Sequence, residues 1–205
     1  MNSKRIALIA MFTAITVALV ISPIKFPAPY APVLVYQIWE IPIVTAFLLF
    51  GPTVAITITV LNTIILMGVF PGPLPAGPLY NLAAVLSMLL GIYLVQRFVA
   101  ERFRRRRETM VTVVSTILGI VARVGIMSIV NWIFLPFPYP FGYNLPAVAA
   151  TAMLPVIGFF NATLALYTIP AGYFLAGVIG RCLKTSVVKR EQQTAQSEGS
   201  PEEKK

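Results

Sequence analysis

Residues 41–70 read IPIVTAFLLFGPTVAITITVLNTIILMGVF. No side chain in this stretch is charged, and Gly51-Pro52 cuts it into two apolar runs. Proline removes a backbone donor and breaks helices, so the pair makes a tight turn. A helix needs about 20 mostly apolar residues to cross a bilayer. The first run reaches that length when extended back to Val33, and the second when extended from Thr53 to Phe70. Two consecutive spans joined by a turn decide the fold class: an all-α membrane protein.

The same pattern continues in both directions. Upstream, a span from Arg5 to about Ser22 stops in Pro23, Pro27, Pro29 and Pro32. It is retained as a helix, because Ile21-Ser22-Pro23 is a poor cleavage site for a signal peptide. Downstream, Pro71-Gly72-Pro73-Leu74-Pro75 is the next break, followed by a span from about Gly77 to Val99. A fifth span runs from Met110 to about Phe134. A long break, Leu135 to Pro146, contains four prolines: Pro136, Pro138, Pro140 and Pro146. The last apolar region covers Ala147 to Gly180, with Pro155 and Pro170 inside. Its length suggests a short re-entrant or interfacial piece near Ala147–Met153. The expected organisation is a bundle of about six transmembrane helices over residues 1–183 and a polar, disordered tail over 184–205.

Composition agrees. The chain has 205 residues, 58% of them hydrophobic and 11% charged; a soluble domain carries roughly 25% charged residues. Between Ile6 and Gln96 the only ionisable acid or base side chains are Lys25 and Glu40. The net charge of +9 is not spread as a nucleic-acid footprint. It sits in short clusters beside apolar spans: Lys4/Arg5, Arg102–Arg107 and Arg181–Arg190. The positive-inside rule puts these on one side, which makes both termini cytoplasmic in a plasma-membrane protein. Six spans place the same three segments together. The opposite face carries loops rich in Pro, Tyr and Phe, with Lys25 their only charge. They read either as interfacial anchors or as a stiff apolar lid over an outward-facing pocket.

Several chemistries lack their parts. All seven acids are Glu, and there is no Asp or His. Metal-dependent hydrolysis and carboxylate–histidine mechanisms are therefore not expected, nor is a metal or cofactor. No Gly-rich phosphate loop is present, so any active transport must be powered by another chain or by an ion gradient. Cys182 is the single cysteine, so no internal disulfide exists.

The polar residues left inside the apolar frame are the candidates for function. Arg123 lies near the middle of the fifth span and Glu40 begins the second. A charge at mid-membrane costs at least ~2.5 kcal/mol and needs a partner or a cavity. Arg123 has three candidate partners: Glu40, an anionic ligand, or another protein. The depth of Glu40, nearer the outer face, argues against a close pair. Asn62, Asn81, Asn131, Asn144 and Asn161 can each read a heterocycle's edge or join helices. Asn131 beside Trp132, and Asn161 beside Phe159 and Phe160, suit a planar uncharged ligand. Ala10, Ala14 and Ala18, in line with Ala7, form a small-xxx-small stripe on the first span that lets another helix approach closely.

With these motifs in view, the chain resembles the substrate-binding S components of energy-coupling factor (ECF) vitamin transporters, and its local features are closest to the riboflavin type. The features are Trp39-Glu40-Ile41-Pro42, Phe50-Gly51-Pro52, Gly77-Pro78-Leu79-Tyr80-Asn81, Asn131 with Pro136-Phe137-Pro138-Tyr139, and Phe160-Asn161. The resemblance implies a non-enzymatic subunit that captures a small vitamin-like heterocycle outside the cell. It then hands the ligand to a transmembrane subunit powered by two ATPase subunits. It makes Asn131 and Asn161 ligand contacts, with Trp39, Glu40, Asn81 and Tyr139 around them, and Ala10, Ala14 and Ala18 the docking stripe. One position departs: riboflavin-type members tend to carry Lys three residues after the last-helix Asn, where this chain has Leu164. The competing reading is a self-sufficient secondary permease for a small neutral solute.

Overall fold

The computed structural model describes residues 3–69, 74–98 and 108–198. Among these residues there are six helices and one two-stranded sheet. The helices are α1 (Ser3–Ile21), α2 (Glu40–Phe50), α3 (Pro52–Val69), α4 (Gly77–Phe98), α5 (Glu108–Phe134) and α6 (Ala147–Glu198). Five of the six are long and apolar enough to cross a membrane, and α2, with 11 residues, is short. The basic cluster Arg102–Arg107 and the prolines Pro71 and Pro73 lie outside the described residues.

The second span departs from expectation. Only its second half is helical. Its first half belongs to an antiparallel hairpin, β1 (Phe26–Ala28) and β2 (Ala31–Tyr36), with Phe26 opposite Tyr36 and Pro27 opposite Val35. Pro27, Pro29 and Pro32 explain this. Each lacks a backbone N–H, which an edge strand tolerates and a helix interior does not. Val35 and Tyr36 are β-branched and aromatic, types that favour strands. The bundle is thus all-α in its spans, with a small hairpin at the end opposite the termini.

The last region differs too. Residues 147–153 continue into α6 without a break, so no separate re-entrant piece forms. Pro155 and Pro170 are accommodated within the helix. The stretch 147–182 rises about 54 Å at 1.5 Å per residue, longer than the ~30 Å hydrocarbon core. The expected boundary at 183/184 is a change in composition rather than in secondary structure, because helix continues to Glu198. The Lys, Arg, Glu, Gln and Ala residues of 185–198 are good helix formers, which is a sufficient local reason.

Turn and packing positions follow from small residues. Gly51 has φ of 90° and donates its N–H to the Phe47 carbonyl at 2.9 Å, closing α2. Such a φ is free for glycine and costly for other residues. Pro52 then opens α3, where its missing N–H is no loss. Between α4 and α5 the backbones touch. A Cβ at Gly91 would lie 2.6 Å from the Leu118 carbonyl oxygen and 2.7 Å from the Gly119 Cα. Gly91→Ala is therefore expected to push the helices apart and cost about 1–3 kcal/mol. Thermal unfolding in detergent checks this against Gly68→Ala, where nothing lies within 4 Å. Equal melting of the two variants would show that the α4–α5 contact is not tight.

The core joins α1, α2, α3, α4 and α6 through Phe12, Trp39, Ile43, Phe47, Ile58, Met88 and Ile169. On α1 the buried side chains are Ile9, Phe12, Thr13 and Thr16, spaced as one helical face. Phe12 meets Phe50 edge-to-face at 5.9 Å. Ala7, Ala10, Ala14 and Ala18 are exposed. The alanine stripe therefore faces away from the bundle.

Candidate functional site

The buried side of α5 is a single stripe: Ser115 and Thr116, then Gly119, Arg123, Met127 and Asn131. The spacings of three and four place them one above another along the helix. The buried side of α6 carries Ile157, Asn161, Leu164, Ala165 and Thr168 in the same way. Arg123 and Asn161 therefore project into the space between α5 and α6, and the N-terminus of α2 enters the same space.

There Arg123 and Glu40 form a bidentate ion pair. The Arg123 Nη1 donates to Glu40 Oε2 at 2.5 Å and Nη2 to Oε1 at 2.9 Å. The Arg123 Nε donates to Asn161 Oδ1 at 3.0 Å, and Nη1 also approaches the Met88 sulfur at 3.6 Å. Arg123 is 2% exposed and Glu40 3%. This corrects the expectation that depth keeps the two charges apart. Because the hairpin makes the first part of the crossing, α2 begins well below the outer face. Glu40 is ten residues before Phe50, about 15 Å from the inner turn and half of a ~30 Å core. Its place in the first turn of α2 also sets the carboxylate at the positive end of the helix dipole.

The other expected ligand residues separate into two groups. Asn131 is buried two turns further along α5 from Arg123, and its Nδ2 donates to the Met127 carbonyl at 2.7 Å. Trp39 is buried in the core immediately before Glu40. Asn81 is exposed, and Tyr139 is 69% exposed. Among the described contacts neither joins the Glu40–Arg123–Asn161 cluster. The aromatics beside the asparagines also point elsewhere. Trp132 and Phe159 are exposed, and Phe160 packs on Tyr36 with ring centroids 4.9 Å apart. Neighbours in a helix sequence are about 100° apart around the axis, so adjacency does not make a shared face. Of the other amides, Asn144 is exposed at a φ of 53°, and Asn62 on α3 is buried with its Oδ1 unpartnered among the described residues.

Two clasps tie elements together at the outer end of the bundle. The hairpin is tied to α6 by a chain of hydroxyls: Tyr30 with Tyr36 at 2.5 Å, and Tyr36 with Thr163 at 2.7 Å. Tyr30 meets Phe159 edge-to-face at 5.3 Å, and the Tyr167 hydroxyl donates to the Gln37 carbonyl at 2.6 Å. The second clasp joins the α5–α6 loop to the start of α4. The Tyr80 hydroxyl donates to the Phe141 carbonyl at 2.9 Å, and the Ala76 N–H donates to the Pro140 carbonyl at 3.4 Å. A shallow apolar groove of about 330 Å³ lies at the outer ends of α5 and α6, lined by Trp132, Ile133, Pro136 and Ala147. None of the three cluster residues lines it. The polar cluster is closed: Glu40, Arg123 and Asn161 are all buried.

A solved structure described as the S component of a bacterial ECF transporter superposes on this chain with a TM-score of 0.69 at 24% identity. The match covers 90% of this chain and 99% of the other. The chain has the fold of an ECF S component. No family model matches the sequence. Two curated proteins are similar in sequence. The riboflavin transporter RibU of Staphylococcus aureus is 29% identical over 149 residues, 72% of this chain and 74% of its own length. The riboflavin transporter FmnP of Bacillus subtilis is 26% identical over 158 residues, 75% and 77% of the two lengths. Within the S-component fold, α1 bears the exposed alanine stripe, while Glu40, Arg123 and Asn161 join α2, α5 and α6.

Proposed function

We propose that this chain is the substrate-binding S component of an ECF-type importer, multi-pass in the plasma membrane, that captures riboflavin or a related heterocycle from outside. It passes the ligand to a transmembrane subunit driven by two ATPase subunits. The observation that carries the reading is the combination of the S-component fold with two relatives named as riboflavin transporters. The alanine stripe supports it independently, since its small side chains face outward where a partner helix can reach them. Both relatives are named transporters, and no catalytic step is part of the mechanism.

In this reading the outer clasps open, the flat ligand enters between α5 and α6, and Asn131 and Asn161 hydrogen-bond its polar edge. Trp39 and Glu40 lie at the floor of that space, whereas exposed Asn81 and Tyr139 belong to the entrance. Leu164 is buried on the Asn161 face and offers the ligand an apolar surface instead of an ammonium.

The deciding experiment is to purify the chain from cells and identify what co-elutes by mass spectrometry. Bound flavin also gives a yellow colour and quenched flavin fluorescence. Uptake into liposomes by this chain alone would instead establish the permease reading. Asn131→Ala and Asn161→Ala should each weaken binding by about 1–3 kcal/mol, the cost of leaving a buried polar partner unmatched. Normal affinity in both variants would move the ligand site away from the α5–α6 space.

A further inference from the structure

A purely structural ion pair needs only its two charges, but Arg123 does more. Its terminal nitrogens hold Glu40, and its Nε is given to Asn161 Oδ1 at 3.0 Å. The Asn161 Nδ2 in turn donates to the Ile157 carbonyl at 2.9 Å. A guanidinium is a donor only, and a backbone carbonyl an acceptor only. The amide therefore cannot exchange its oxygen and nitrogen without losing both bonds. One Nδ2 hydrogen and one Oδ1 lone pair remain for a ligand, in one fixed orientation.

We propose that Arg123 is a positioning residue of the ligand site. Through its Nε it sets which edge Asn161 presents, and Glu40 fixes the plane of the guanidinium. The inference rests on the reading of Asn161 as a ligand contact. It also accounts for the expense of a charge pair at mid-membrane, where an apolar pair of similar volume packs as well. Lysine does not replace arginine here, because an ammonium is a point charge without a planar fork spanning Glu40 and Asn161 together.

The test is a double-mutant cycle on the full chain in detergent, with riboflavin as the probe and quenching of its fluorescence as the readout. Arg123→Lys keeps a cation beside Glu40, so the apo protein should melt near the wild-type temperature while riboflavin affinity falls about tenfold or more. Asn161→Ala should lose a comparable factor. Arg123→Lys combined with Asn161→Ala should be no more than about threefold weaker than Asn161→Ala alone, because the route of action is already gone. Losses that multiply would overturn the proposal, as would affinity within threefold of wild type in Arg123→Lys. Should that variant fail to fold, the charge-free pair Glu40→Met with Arg123→Met serves in its place, with the same expected loss and the same collapse of that loss without Asn161. A wild-type chain that binds no riboflavin refutes the riboflavin reading, and the positioning role falls with it. A wild-type chain that binds, with unchanged Arg123 variants, refutes the positioning role alone.

Discussion

Arg123→Met is expected to destabilise the bundle by about 3–5 kcal/mol, the cost of leaving a buried carboxylate without its cation. Glu40 is 3% exposed, so bulk solvent cannot take the place of its cation. Its two oxygens receive bonds from two Arg123 nitrogens, and the same guanidinium ties α2 to α5 and α6. Removing it affects three helices at once. At roughly 2–4 °C per kcal/mol for a chain of this size, the melting temperature falls by about 6–20 °C. Glu40→Met alone should be similarly harmful, since it strands the guanidinium. The two changes together should recover most of the loss, because well-packed apolar residues replace a buried ion pair at little cost. Thermal unfolding of all three variants in one detergent measures this. A double variant as unstable as the sum of the singles would show that the pair is held by something other than mutual charge compensation.

The contrast between this network and the outer residues shows what sequence could reveal. Apolar length and proline breaks located four of the six helices to within a few residues at both ends, and the start of α6, because a bilayer permits few backbone solutions. The hairpin was hidden, because an apolar segment such as Val33–Tyr36 has the same hydropathy as a helix half. The signal that could have separated them was local: three prolines between Pro27 and Pro32, then β-branched and aromatic residues. Glu40, Arg123 and Asn161 were conspicuous as polar groups in an apolar frame, which is why they could be named. Their union was not legible, because it depends on where α2 starts, and that depends on the hairpin. Asn81 and Tyr139 show a different limit. A motif placed them near the ends of spans, but only the packing shows that both side chains are exposed. The i, i+4 spacing of Arg123, Met127 and Asn131 was available in the sequence and is the pattern that marks the inner face of α5.

Ala14→Trp should abolish uptake while leaving riboflavin binding intact. Ala10, Ala14 and Ala18 are exposed, and the residues holding α1 to the bundle (Ile9, Phe12, Thr13 and Thr16) lie on the other side of the helix. An indole at position 14 therefore does not touch the core or the Glu40–Arg123–Asn161 cluster. It does block close approach by a partner helix, and within a bilayer close packing between small residues is a main source of helix affinity. Lipid offers no comparable obstacle, so the isolated chain should fold and bind as before. In the proposed function transport runs through the partner, so uptake into cells expressing the ATPase and transmembrane subunits should fall to background. Ile129→Trp is the control, since Ile129 is 59% exposed on α5 and away from the stripe. It should leave uptake near normal. Equal loss in both variants would attribute the defect to bulk in the membrane rather than to docking. Full uptake in Ala14→Trp would mean that α1 is not the docking helix, and the outward stripe would then be lipid-facing surface.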